Sequence, residues 1–331
     1  MRRRGLMSTL TKFANIFAAT LATFATLLTV NNAQAEAQKN IVATITQIGE
    51  PLSVIAGGRA KIVTLMGEGV DPHLYRLTRS DVLKLNRADL IVYNGLDLEA
   101  QIVKLLTKFA AHKPVIGLAE VLRERGFLTK DGRAYDPHVW MDPVLWGTAL
   151  QTAVDALARI DPKNAEFYHT NNAAYLIELG KLHSSAKRSI ASIPNESGVL
   201  VTAHDAFGYF ARAYGLEVLA VQGISTESEA GVKKIEDLVK TIVKRRVGAV
   251  FIESTVSARN VQALIEGAAA RGHRVRIGGK LFSDAMGPTG TYVGTYIGMF
   301  NHNVTTIVRS LSGVSPKPQP RDQLAETKFS K

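Results

Sequence analysis

Cysteine is absent from all 331 residues, which removes disulfides, thiolate metal sites and cysteine nucleophiles at once. Any metal or acid–base chemistry must rest on His, Asp, Glu, Ser or the backbone. Enzyme signatures are missing as well: no His-Glu-x-x-His, no Gly-x-Ser-x-Gly and no P-loop occurs in the chain. The stretch GEGVDP opens like a dinucleotide-binding turn at Gly67 and Gly69, but Pro72 stands where the third glycine belongs. Charge is scarce at 21% of residues and net positive at +11. The Lys and Arg are spread along the chain rather than clustered, so no nucleic-acid partner is expected.

What is present points outward from the cytoplasm. A basic start (MRRRGLMSTLTK) precedes an uncharged apolar run (FANIFAATLATFATLLTV), and Ala33-Gln34-Ala35 supplies small residues for cleavage. Residues 1–35 therefore read as an export signal. The apolar run is also just long enough to serve as a membrane anchor, although no stop-transfer charges follow it. With no cysteine to carry a lipid, the mature chain is expected to be free in an extracytoplasmic space, most simply a periplasm.

At 46% hydrophobic the chain is no disordered segment, and its length suits two domains. Short β-branched runs alternate with amphipathic segments: NIVATITQI (40–48), KIVTLM (61–66), DLIVYNG (89–95) and KPVIGL (113–118). That alternation predicts parallel strands joined by helical crossovers. A mainly helical stretch follows, and the alternation resumes with GVLVTA (198–203), LEVLAVQGI (216–224), GAVFIES (248–254) and HRVRIGG (273–279). The expected architecture is α/β, with two lobes (36–160 and 196–312), each a mainly parallel sheet flanked by helices. One long rigid helix (161–195) joins them, and a polar, proline-bearing tail (313–331) ends the chain.

Ligands in parallel α/β folds gather beyond the carboxyl ends of strands. His73, His204 and Asp284 each follow a strand in that way, and His138 sits in the irregular stretch KDGRAYDPHVWMDP. Of only eight histidines, His73 and His138 both close an Asp-Pro-His tripeptide, in which proline stiffens the approach. Three imidazoles and a carboxylate meeting in a cleft would suit zinc, manganese or iron(II), whereas calcium or magnesium would call for oxygen ligands throughout. Taken singly, a histidine near a strand end is more often a surface or hydrogen-bonded residue than a ligand. His112, His169, His183, His273 and His302 read as solvated or structural. Glu253 is a further carboxylate that either faces the cleft or orients a ligand.

The same positions carry a family resemblance. GEGVDPHLYRLTRSDVLKLNRADLIVYNGLDLE, DPHVWMDP, AHDAFGYFARAYGLEVLAVQGISTESEA, FIES and LFSDAMGPTGTYVGTYIGMFNHNVTTIV occur in the order of the blocks of a known group. The chain resembles the metal-binding solute-binding proteins of ABC importers for manganese, zinc and iron(II), called cluster A-I or cluster 9. The resemblance implies two lobes on one long helix, with one divalent metal carried between them by His73, His138, His204 and Asp284. It further implies delivery to a membrane permease driven by an ATPase, contact with the membrane only through that permease, and a monomer with no catalytic role. Zinc-dedicated members often carry a His-rich loop before the second ligand. The corresponding AEVLRERGFLTKDGRAY holds no histidine, which puts manganese first, zinc close behind and iron(II) third. A periplasmic metalloenzyme and a metal-stabilised adhesin are the alternatives. Proton competition for imidazole is expected to weaken binding below about pH 6.5.

Overall fold

A computed structural model describes residues 38–131 and 134–312; the leader (1–35) and the tail (313–331) lie outside the described residues. The first lobe opens with β1 (Lys39–Ile45), α1 (Thr46–Ala56) and β2 (Ala60–Met66). It continues through α2 (Arg79–Arg87), β3 (Leu90–Tyr93), α3 (Val103–Ala110), β4 (Val115–Gly117) and α4 (Glu120–Glu124). The four strands form one parallel sheet in the order β2-β1-β3-β4, with Ile41 paired to Ile62 on one side and Leu90 on the other. A two-stranded antiparallel hairpin, β5 (Lys130–Asp131) and β6 (Ala134–Tyr135), precedes the second histidine loop.

Two long helices follow, α5 (Pro143–Ile160), packed on the first lobe, and α6 (Ala165–Ile190), which packs along α5 and leads into the second lobe. Asp142 caps α5 by accepting from the amides of Val144 and Leu145, with Pro143 in the first turn where no amide is needed. The 26 residues of α6 give a rod about 39 Å long. Gly180 sits within it without breaking it.

The second lobe contains β7 (Val199–Thr202), α7 (Gly208–Tyr214), β8 (Glu217–Ala220), α8 (Val232–Lys244), β9 (Ala249–Glu253), α9 (Arg259–Ala269) and β10 (Arg276–Leu281). It closes with α10 (Tyr296–Ser312). β7 pairs with β8 and β9 with β10, both in parallel, and β7 packs beside β9. One apolar core runs from Ile41 and Leu90 through Trp146 and Tyr168 to Phe251 and Phe300 without a gap between lobes. A smaller core around Val201, Val250 and Leu264 lies within the second lobe.

All eight expected strands are present, but the first is shorter than its sequence pattern. Thr46, Gln47 and Ile48 belong to α1, a helix hidden from sequence reading because Pro51 stands inside it. Proline has no amide to donate four residues back, so the carbonyl of Gln47 loses its helical partner. The indole N–H of Trp146 donates to that carbonyl at 3.2 Å. The two substitutions should therefore be coupled. Trp146→Phe should cost about 3 kcal/mol by orphaning a buried carbonyl and thinning the core. In a Pro51→Ala background, whose amide can serve the same carbonyl, the cost should drop by about 1 kcal/mol. A urea-unfolding cycle with no coupling would contradict this account.

Candidate metal site

The four side chains named from sequence meet. His73 follows β2, His138 follows β6, His204 lies two residues beyond β7 and Asp284 lies three beyond β10. One donor atom from each falls within 4.8 Å of the others, and all four residues are buried. Asp284 is the hub: its Oδ1 is 3.3 Å from His138 Nε2, and its Oδ2 is 3.1 Å from His204 Nε2 and 3.7 Å from His73 Nε2. None of these approaches has hydrogen-bond geometry, so three imidazole nitrogens and both carboxylate oxygens are buried without a hydrogen-bond partner. Donors on a shared cation at zinc-like bond lengths of about 2.1 Å stand ~3.4 Å apart at tetrahedral angles. The three carboxylate–imidazole separations, 3.1–3.7 Å, lie near that spacing, and the four donor atoms all fall within 4.8 Å of one another.

Each of the four side chains is aimed by its surroundings. Asp136 Oδ1 accepts the backbone amide of His138 at 3.0 Å and lies 2.7 Å from its Nδ1. Glu253 does the same for His204, with Oε1 2.8 Å from the amide and Oε2 2.5 Å from Nδ1. A carboxylate on Nδ1 holds the proton there and turns Nε2 toward the cluster. His73 is held through its backbone, whose amide donates to Asp71 Oδ1 at 2.9 Å. The repeated Asp-Pro-His is thereby explained by its aspartates as much as by its prolines: each carboxylate folds back on the amide two residues on. Room for Asp136 depends on Gly208, where a Cβ would stand 2.8 Å from Asp136 Oδ2.

The loop before His138 is anchored from beneath. Asn94 donates to the carbonyl of Pro137 at 3.0 Å, and the buried carboxylate of Glu99 takes the amides of Asn94 and Gly95 with the hydroxyl of Thr44. This grip holds Leu96 and Asp97 in left-handed backbone, with φ of 54° and 64°. Asp284 is fixed from the opposite lobe, since Trp140 Nε1 and Gln47 Nε2 both donate to the carbonyl of Ser283, at 3.0 and 3.2 Å. Sequence reading named Glu253 but missed the orienting roles of Asp71, Asp136, Gln47 and Trp140. Only the two aspartates had a local signal, in Asp-Pro-x as a turn former.

Other histidines stay apart: His112 is exposed, His169 lies at the surface near Asp155, and His183 meets Tyr214. His273 and His302 each place Nε2 against a backbone carbonyl.

The matching family model is the periplasmic component A of zinc-uptake complexes, ZnuA, over residues 41–310. The chain belongs to this family. It is 43% identical over 281 residues to the zinc-binding protein TroA of Treponema pallidum, covering 85% of this chain and 91% of the relative. It is 40% identical to the manganese-binding lipoprotein MntA of Bacillus subtilis, covering 84% and 91%. The solved structure of the periplasmic zinc-binding protein TroA superposes with a TM-score of 0.81, covering 83% of this chain and all of that one. The family accounts for the two-lobed α/β architecture on a long helix.

Protonation follows the same geometry. Burial disfavours an imidazolium at His138, but Asp136 and Asp284 outweigh it and raise its pKa to about 9. Burial opposes charge at His204 too, and Glu253 with Asp284 raise it well above the usual value. At His73 burial prevails, lowering it to about 4. Burial alone would raise Asp284, yet His204 and His138 hold it well below the ordinary carboxylate range. Protons compete with a cation at groups whose pKa is raised, so affinity should climb as pH rises through neutrality and keep climbing above it. The carboxylates beside His138 and His204 move their part of that window above the unperturbed imidazole value. Near pH 7 each divalent ion should expel about two protons. Calorimetry in buffers of different ionisation enthalpy counts them, and zero protons released would contradict the pairing.

Proposed function

We propose that His73, His138, His204 and Asp284 are the cargo site of this chain, with manganese the first metal, zinc the second and iron(II) the third. The chain is a solute-binding component of a metal ABC importer. The observation that carries the assignment of the site is the buried convergence of three imidazole nitrogens and one carboxylate that have no hydrogen-bond partners of their own. Leaving so many polar atoms buried and unpaired is costly in a folded protein unless something else satisfies them. A divalent transition ion satisfies all of them in one step.

The donor set supports manganese alongside zinc. Asp284 presents both oxygens to the imidazoles, so five donors are at hand, more than a tetrahedral zinc site uses. Zinc remains competitive because nitrogen and oxygen sites favour it in the affinity order. Relatives divide the same way: one is named as a zinc-binding protein and another as a manganese-binding lipoprotein. Metal analysis of protein taken from its native compartment, without added metal or chelator, decides the order. Manganese in excess over zinc is expected, and zinc alone would reverse it.

A carrier role, not catalysis, is the reading for this chain: members of the family are substrate-binding proteins, and four protein ligands leave little room for the open position a catalytic metal keeps. Delivery to an ABC permease and its ATPase, as a monomer, completes the proposal. The site is expected to work in the periplasm. No helix among the described residues is long and apolar enough to cross a membrane.

Closure around the cargo should be a small tilt, because a continuous core and a 26-residue helix link the lobes. Saturating manganese or zinc should raise the melting temperature, since only the folded chain assembles the site. His204→Ala and Asp284→Ala should each remove most of that rise. An undiminished rise in both variants would mean that the cation sits elsewhere.

A further inference from the structure

His138 and His204 each lean on a carboxylate through their rings, whereas His73 is held through its backbone by Asp71. That carboxylate is shared between lobes. Its Oδ1 accepts the His73 amide at 2.9 Å, and its Oδ2 accepts the hydroxyl of Thr226, from the second lobe, at 2.6 Å. Thr226 belongs to the segment 225–229 between β8 and α8, where it is the buried residue, 9% exposed, in an otherwise exposed run. The segment is itself anchored: Gln222, buried at its base, donates to the carbonyl of Ser228 at 3.3 Å. At the rim, Gln101 of the first lobe donates to Glu227 at 2.6 Å.

We propose that Thr226 is a positioning residue for His73. Its hydroxyl fixes the rotamer of Asp71, and the other oxygen of Asp71 fixes the backbone of His73. His73 is thus held in the cluster only while the second lobe is seated on Asp71. The hydroxyl touches neither the cargo nor the ring, so its effect is on retention: a cation leaves when His73 lets go, and Thr226 sets how often that happens. A hydrogen bond to a carboxylate at a mostly buried position is strong enough for its loss to change a dissociation rate about tenfold. The rim contact from Gln101 ends on the exposed carboxylate of Glu227 and makes no bond to Asp71, so it lacks this coupling.

This inference rests on the cargo reading above, and one experiment separates the two. The full chain is loaded with Mn²⁺ or Zn²⁺, and release into excess chelator is followed by stopped flow for wild type, Thr226→Val, Thr226→Ser and Gln101→Ala. Thr226→Val should release metal about tenfold faster than wild type, with association little changed and the metal-free protein still folded, its melting temperature only modestly lowered by the lost bond. Thr226→Ser, which keeps the hydroxyl, should restore release to within about twofold, and Gln101→Ala should match wild type. The proposal is overturned if Thr226→Val releases as slowly as wild type. It is equally overturned if Thr226→Ser is as fast as Thr226→Val, or if Gln101→Ala speeds release as much. Wild type that takes up neither ion would instead sink the cargo reading.

Discussion

Everything around the cleft answers to one constraint, a carboxylate placed out of water among three imidazoles. Asp284 could not sit there charged on its own, because burial penalises the anion by several kcal/mol. It is tolerated because His204 and His138 face its two oxygens. Those rings can serve it only if their far nitrogens also face a partner: Asp136 hydrogen-bonds that of His138, and Glu253 sets its carboxylate against that of His204 as an ion-pair contact. Two more buried carboxylates are therefore the price of the first. Their own placement fixes the peptide amides of the residues they orient, which ties the cluster to the ends of β6 and β7.

The lobes are held together around that constraint, not merely hinged. Tyr296 donates its hydroxyl to the carbonyl of Trp140 at 2.6 Å, and its amide to Glu50 at 3.0 Å. Tyr209 donates to the carbonyl of Asp136 at 2.8 Å. With the bonds from Trp140 and Gln47 to Ser283, they fasten the walls that bear His138 and Asp284. Burial at the junction also raises the carboxyl of Glu50 to about 7, against the Tyr296 amide that lowers it. The ligands divide into a rigid set fastened to the shared core and one, His73, on a longer loop with its own tether.

The strand pattern and the four clustered residues were legible in sequence for physical reasons. Parallel strands buried on both faces read as continuous β-branched runs, and strand ends mark where ligands collect. Helix α1 was not legible, because Pro51 is a strong local signal against a helix and the indole that compensates for it lies 95 positions away, at Trp146. The same limit applies to Gln47 and Trp140, whose bonds to Ser283 span 236 and 143 positions. No local pattern carries such a pairing. The orienting aspartates are half legible: the Asp-Pro-His repeat is a local signal that proline stiffness already accounts for, and the bond from each carboxylate to the amide two residues on appears only in the fold.

The three carboxylates gathered in the cleft have a kinetic side. Their field is short in range, confined by low-dielectric walls, and it sits in a chain whose formal charge is +11, or +7 (11 − 4) once Arg2, Arg3, Arg4 and Lys12 leave with residues 1–35. A dication approaching from a distance therefore meets mild repulsion and is drawn in only over the last few ångströms. Electrostatic steering, which speeds many charged encounters, works here against capture. Added salt, which shortens the reach of the outer field far more than that of the buried one, should leave the uptake rate unharmed or raise it. The protein is built to find its cargo at close quarters and to depend on the cleft, not on its surface, for the catch.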